Sequence, residues 1–111
     1  MDNEIRIIET IQQYGGHPNV VQVLAHGRLY VDQTYYYIDM PLYTESLAYY
    51  ITVAASENDF ELKARRAVYV TREIGKGLAF LHACGVVHRD IKPQNGDILY
   101  PFLTQLQFFS K

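Results

Sequence analysis

Apolar residues recur at spacings of three and four over residues 3–14, where Ile5, Ile8 and Ile11 form one stripe and Ile7, Ile11 and Tyr14 its neighbour. That period predicts a short amphipathic helix with Asn3 as its cap and Glu4, Arg6 and Glu9 turned outward or sideways. Gly15-Gly16 ends it. His17-Pro18-Asn19 then blocks continuation, because the residue before a proline is pushed out of the helical region. Residues 20–25 and 34–40 are β-branched and aromatic runs separated by a polar stretch containing Gly27, Asp32 and Gln33. This is the pattern of an antiparallel hairpin, with Pro41 closing its second strand.

Residues 42–53 place Leu47, Tyr50 and Ile51 at helical spacing among several β-formers and are read as a short helix. A polar cluster at 56–59 follows. Within it, Asn58 and Glu61 have the spacing of a capping box, in which each side chain satisfies a backbone donor of the other. A long helix over residues 59–83 is expected from there, with Ala67, Val70, Ile74, Gly77, Leu78 and Leu81 on one stripe despite the helix-weakening Gly75 and Gly77. Gly85 is a natural left-handed stop. No repeat, low-complexity tract or composition shift marks a second domain.

Composition narrows the class. Of 111 residues, 49 % are apolar and 14 % aromatic, and 10 Lys plus Arg stand against 12 Asp plus Glu for a net charge of −2. Such a chain can form one globular domain, and its charge gives no electrostatic case for nucleic acid or an anionic membrane surface. No apolar run approaches the ~20 residues that span a bilayer, and Asp2, Glu4 and Arg6 interrupt a signal-peptide reading, so a cytosolic or nuclear protein is expected. The single Cys84 has no internal disulfide partner and reads as a small buried residue.

Directly after Gly85 comes Val86-Val87-His88-Arg89-Asp90-Ile91-Lys92-Pro93-Gln94-Asn95. A carboxylate, an ammonium two residues on and an amide five residues on suit phosphoryl transfer: an orienter for the attacking hydroxyl, a cation for the moving phosphate and a neutral oxygen ligand for Mg²⁺. The segment resembles the catalytic loop of eukaryotic protein kinases, His-Arg-Asp-x-Lys-x-x-Asn, in its serine/threonine form. Five fixed residue types arise by chance about once in three million starts, which sets coincidence aside.

The resemblance extends over about 100 residues, from near the family's αC helix to just past the catalytic loop. Residues 61–88, with Gly77-Leu78-Ala79-Phe80-Leu81-His82, resemble the long helix before that loop. His17-Pro18-Asn19-Val20-Val21 is similar to the connection from αC into the fourth strand, and Tyr36-Tyr37-Ile38-Asp39-Met40 to the fifth strand entering the hinge. Ile38-Asp39-Met40 and Ile98-Leu99-Tyr100 further resemble fungal-type kinases. The implied fold is α+β: a partial kinase domain over residues 1–100, followed by a divergent tail over 101–111.

The resemblance also implies roles. Asp90 is the catalytic carboxylate, Lys92 contacts the γ-phosphate, Asn95 binds the metal, and His88 and Arg89 are supporting residues. Arg89 reads equally as a partner of Asp90 or of solvent. Met40 occupies the gatekeeper position, Pro41 keeps the carbonyl that the hinge offers adenine, and Tyr43 supplies the hinge N–H. Glu4 matches the αC glutamate that pairs with a third-strand lysine, and reads equally as a solvated first-turn residue. ATP and Mg²⁺ are the implied cofactors and a protein hydroxyl the implied substrate.

Other constellations are weaker. His88 with Asp90 could begin a metal site but has no third ligand at a defined spacing. Gly15-Gly16 lacks the strand and the Lys-Ser/Thr of a phosphate cradle, and no serine stands in nucleophile spacing to a histidine. Tyr35, Tyr36 and Tyr37 alternate faces as strand packing rather than stacking bases.

The 111 residues contain no glycine-rich loop, third-strand lysine or Asp-Phe-Gly, and Gly96-Asp97 separates Asn95 from an apolar strand that the family usually starts at once. The reading is an incomplete serine/threonine kinase domain, inactive by itself and prone to self-association. Its alternatives are a non-catalytic fragment that acts by interaction, and a mis-spliced or readthrough product.

Overall fold

The computed structural model describes residues 2–42, 45–87, 92–99 and 103–107. Helix α1 (Asp2–Gln13) buries Ile8 and Ile11 and half-buries Ile7. It begins one residue before Asn3, so Asn3 lies inside the helix rather than capping it. Tyr14, expected on the apolar face, is 61 % exposed because it falls in the turn that leaves the helix. That turn uses both glycines at positive φ: Gly15 N–H donates to the Gln12 carbonyl and Gly16 N–H to the Ile11 carbonyl, satisfying two acceptors in the last turn of α1.

The hairpin is antiparallel but displaced from its expected position. Strand β1 (Ala25–Arg28) pairs with β2 (Tyr36–Asp39), Ala25 opposite Asp39 and Arg28 opposite Tyr36. Residues 20–24 therefore precede the first strand. Val20 and Val21 are only 2 % and 3 % exposed, yet Val20 forms an isolated parallel bridge with Leu106 and has no place in the hairpin. β-branched residues there fill a core instead of a ladder. Gly27, expected in the turn, is a strand residue opposite Tyr37. The loop is organised by Asp32, whose Oδ1 accepts from the Thr34 N–H at 3.0 Å and its hydroxyl at 2.7 Å.

After the hairpin, a two-residue strand β3 (Glu45–Ser46) precedes helix α2 (Leu47–Ala54), which Ser46 caps by accepting the Tyr49 N–H at 3.1 Å. Helix α3 (Phe60–Ala83) has 24 residues and is the longest described element, as the apolar stripe predicts. Its cap is Asp59, which accepts the Leu62 N–H at 3.1 Å. The expected Asn58/Glu61 box is thus wrong by one residue: Asp59 stands where the backbone turns helical, and Glu61 pairs instead with Arg65 on the exposed surface. At the far end, Gly85 at φ 79° donates to the His82 carbonyl and Val86 N–H to the Leu81 carbonyl, closing the helix as expected.

Strand β4 (Gly96–Leu99) pairs antiparallel with both β3 and β5 (Leu103–Leu106), giving a three-stranded sheet in the order β3-β4-β5. The core joins these parts: Ile11 of α1, Val20, and Leu81, Cys84 and Val86 at the end of α3, with Ile7 and Phe80 packed against them. Burial there pushes the Cys84 thiol above its ordinary range. Helices and small antiparallel sheets make up the expected α+β architecture. No helix among the described residues is long and apolar enough to cross a membrane.

Along α3, Gly77 and Leu81 are buried and Val70, Ile74 and Leu78 half-buried, whereas Ala67 is exposed. Gly77 is required by contact: a Cβ built on it lies 2.5 Å from the Asn19 carbonyl oxygen, while one on Gly75 meets nothing within 4 Å. Gly77→Ala is therefore expected to destabilise by about 1–3 kcal/mol through overpacking. Gly75→Ala should stabilise by about 0.5–1 kcal/mol through helix propensity alone. Urea midpoints of the two variants check the opposite signs.

The cap position is tested in the same way. Asp59→Ala should cost about 1 kcal/mol by leaving a first-turn N–H without its acceptor. Asn58→Ala should stay within about 0.5 kcal/mol of the parent chain. Thermal melts that reverse this order contradict the observed cap.

Candidate active site

The chain between α3 and β4 ends in a 3-10 turn (Pro93–Asn95), closed by the Asn95 N–H donating to the Lys92 carbonyl at 3.0 Å. Lys92 is exposed and Asn95 only 1 % exposed. The turn thus holds a cation toward solvent and a carboxamide inward, three residues apart. Gly96 lets this turn sit against the start of α2, since a Cβ there would lie 2.8 Å from Leu47 Cδ2 and 3.0 Å from Leu47 Cβ. Gly96 and Asp97, read from the sequence as two residues interposed before a strand, are themselves in β4, with Asp97 opposite Ser46 and Gly96 opposite Leu106.

On the other side, Met40 and Pro41 follow β2 directly and are half-buried. The chain they lead into returns as β3, with Glu45 opposite Ile98, so the segment after the expected hinge runs hydrogen-bonded beside the strand that leaves Asn95. Glu4 lies half-buried in the first turn of α1, on a different element from Lys92 and Asn95. Tyr43, His88, Arg89 and Asp90 fall outside the described residues. Of the candidates described, the structure brings Lys92 and Asn95 onto one turn and places the chain following Met40 and Pro41 alongside it.

Sequence reasoning missed a set of buried polar residues around this turn. Asn19 is the first. Its Nδ2 donates to the Thr104 carbonyl at 2.9 Å, its carbonyl accepts the Leu106 N–H at 2.8 Å, and its N–H donates to His17 Nδ1 at 3.0 Å. Gln105 Nε2 donates to the Pro18 carbonyl at 3.0 Å. Gln107 N–H donates to the Asn95 carbonyl at 2.9 Å, and its Nε2 to Asp97 Oδ2 at 2.6 Å. Asp97 is 1 % exposed. Polar residues of this kind carry no periodic signal; the one local cue is the density of amides in Thr104-Gln105-Leu106-Gln107, a strand without charge.

Between α2 and α3 an open groove of about 480 Å³ is lined by Tyr50, Ile51, Val70, Ile74 and Leu106, with Lys92 at its edge. The groove is apolar and the turn beside it is polar. A solvent-exposed ammonium and a neutral carboxamide oxygen fit a Mg²⁺-nucleotide by donor type, because Mg²⁺ in such sites keeps few protein ligands and takes the rest from phosphate and water.

The chain matches the family model described as protein kinase domain over residues 1–101. Ribosomal protein S6 kinase alpha-1 of Homo sapiens is 36 % identical over 93 residues, which cover 84 % of this chain and 11 % of the relative. Calcium/calmodulin-dependent protein kinase type 1 of Macrobrachium nipponense is 30 % identical over 95 residues, covering 86 % of this chain and 24 % of that one. Serine/threonine-protein kinase PSK1 of Saccharomyces cerevisiae is 31 % identical over 97 residues, covering 84 % and 6 %. The chain therefore spans a quarter or less of the length of these relatives. With Lys92 and Asn95 on one turn after a long helix, and a family match that runs through both, this chain belongs to the protein kinase domain family and carries a part of that domain.

Proposed function

We propose that the chain supplies the αC-to-catalytic-loop part of a serine/threonine protein kinase of the cytosol or nucleus, which transfers the γ-phosphoryl group of Mg·ATP to a protein hydroxyl. The observation that carries this reading is the turn that ends the His88-to-Asn95 segment, with Lys92 outward, Asn95 inward and β3 returning beside it. Lys at the second place after Asp90 favours Ser or Thr as acceptor.

In this reading Asp90 orients the attacking hydroxyl and accepts its proton, Lys92 neutralises charge on the moving phosphoryl group, and Asn95 gives one oxygen to the metal. When bound, the metal would be held here by Asn95 and would supply positive charge against the phosphates. His88 and Arg89 support the loop, Met40 bounds the adenine site, and Pro41 carbonyl and Tyr43 N–H read the adenine edge. Glu4 takes the place of the family's αC glutamate, the residue that pairs with a third-strand lysine. Phosphoryl transfer asks mainly for positioning and charge stabilisation. The 111-residue chain alone holds only part of that machinery.

Two outcomes are expected of the isolated chain. Mg·ATP binds no more tightly than about millimolar, near −4 kcal/mol, and its amide shift changes centre on Met40, Leu42, Lys92 and Asn95. Incubation with radiolabelled ATP and a general Ser/Thr substrate gives no incorporation above an Asp90→Ala control, and light scattering finds the chain self-associated through exposed apolar surface. Shift changes confined to other surfaces contradict the site, and Asp90-dependent labelling by a monomer contradicts the proposed incompleteness.

A further inference from the structure

We infer that Asp97, acting through Gln107, is a positioning residue for Asn95. The inference rests on the reading of Asn95 as a metal ligand and extends it to two residues with no assigned role. Asp97 lies two residues after Asn95 in β4, where its carboxylate is 1 % exposed. A buried polar side chain in a strand is costly unless it is hydrogen-bonded. One of its partners is Gln107, whose Nε2 donates to Asp97 Oδ2 at 2.6 Å. The register explains the pairing: Asp97 stands opposite Gln105, so Gln107 is its diagonal neighbour on the same sheet face, within reach of a long side chain.

The same Gln107 holds Asn95 by the main chain, donating its N–H to the Asn95 carbonyl at 2.9 Å. That bond extends the β4–β5 ladder one step past the Gly96–Leu106 pair, to the residue where the 3-10 turn ends. The Asn95 N–H in turn is given to the Lys92 carbonyl. One residue thus clamps the turn from the β5 side, and the Asp97 carboxylate fixes the side chain of that clamp. The bond from Gln107 Nε2 to a buried acceptor oxygen fixes the Gln107 carboxamide, which gives the buried Asp97 side chain a use. Gln107 and Asp97 set the carbonyl of Asn95, and with it the direction in which its carboxamide leaves the backbone.

The test compares the 111-residue chain with Asp97→Ala, Asp97→Asn and Gln107→Met by nuclear magnetic resonance. One readout is hydrogen-exchange protection of the Gln107 main-chain amide. The other is the Mn²⁺ concentration, metal alone, that broadens the Asn95 side-chain amide. Asp97→Ala and Gln107→Met are expected to lower Gln107 protection about tenfold and to raise the Mn²⁺ requirement several-fold, while the Val86 amide at the end of α3 keeps its protection. Asp97→Asn still offers an acceptor oxygen to Gln107 Nε2 and should restore both readouts. A purely space-filling role would not separate the alanine from the asparagine variant in this way. Wild-type values in Asp97→Ala or Gln107→Met, or an Asp97→Asn variant as impaired as the alanine, overturn the inference. If Asp97→Ala does not fold, Gln107→Met decides. If Mn²⁺ leaves Asn95 unaffected in the parent chain, the metal-ligand reading falls, while the exchange readout still decides whether Asp97 positions the turn.

Discussion

The main chain of Asn19 crosses α3 so closely that only a glycine can stand beneath it. A Cβ on Gly77 would lie 2.5 Å from the Asn19 carbonyl oxygen, and that same oxygen accepts the Leu106 N–H from β5 at 2.8 Å. One carbonyl therefore touches a helix on one side and a strand on the other. The approach brings Val20 into the core with Ile11 and Leu81, and allows Val21 N–H to reach the Leu106 carbonyl at 2.9 Å. The intrinsic helix penalty of a mid-helix glycine is about 1 kcal/mol, and the buried contacts it permits offset that cost.

From this crossing the site follows in sequence. β5 is held by Asn19, β4 is held by β5, and the turn carrying Lys92 and Asn95 is the entry to β4. β3 completes the frame by pairing with β4 on its free edge, which sets the chain that follows Met40 and Pro41 beside the chain that follows Asn95. In a family whose chemistry is mostly positioning, a rigid frame under the loop matters as much as the residues on it. The polar residues of that frame are buried and bonded: Asn19 to Thr104, Gln105 to Pro18, and Gln107 to both Asn95 and Asp97.

Helices were legible from the sequence because their signals are local. The apolar stripes of α1 and α3 and the glycines at their ends predict both helices within a residue or two, and the structure places Gly15, Gly16 and Gly85 at positive φ. Asp59 rather than Asn58 caps α3 because two adjacent residues offer the same chemistry and only the entry angle of the backbone selects between them. Pairing was less legible. Val20 and Val21 have the composition of a hairpin strand, yet their partner is Leu106, which lies 86 residues from Val20 and cannot be named by a period-two pattern. Of the candidate site, the types and spacing of Lys92 and Asn95 were readable, and the residues that hold them were not. Asn19, Asp97 and Gln107 act through burial and register, which exist only once the sheet is assembled.

The Asn19 crossing should close one cooperative unit joining α1, α3 and the three-stranded sheet. Native-state hydrogen exchange of the unmodified chain tests it directly, through the Val21 and Leu106 amides that bond across the crossing. Both are expected to exchange only with global unfolding, at the same opening free energy and denaturant dependence as the Val86 amide that closes α3. Val21 and Leu106 amides that exchange as readily as the Tyr35 amide in the hairpin loop, while Val86 stays protected, would contradict it.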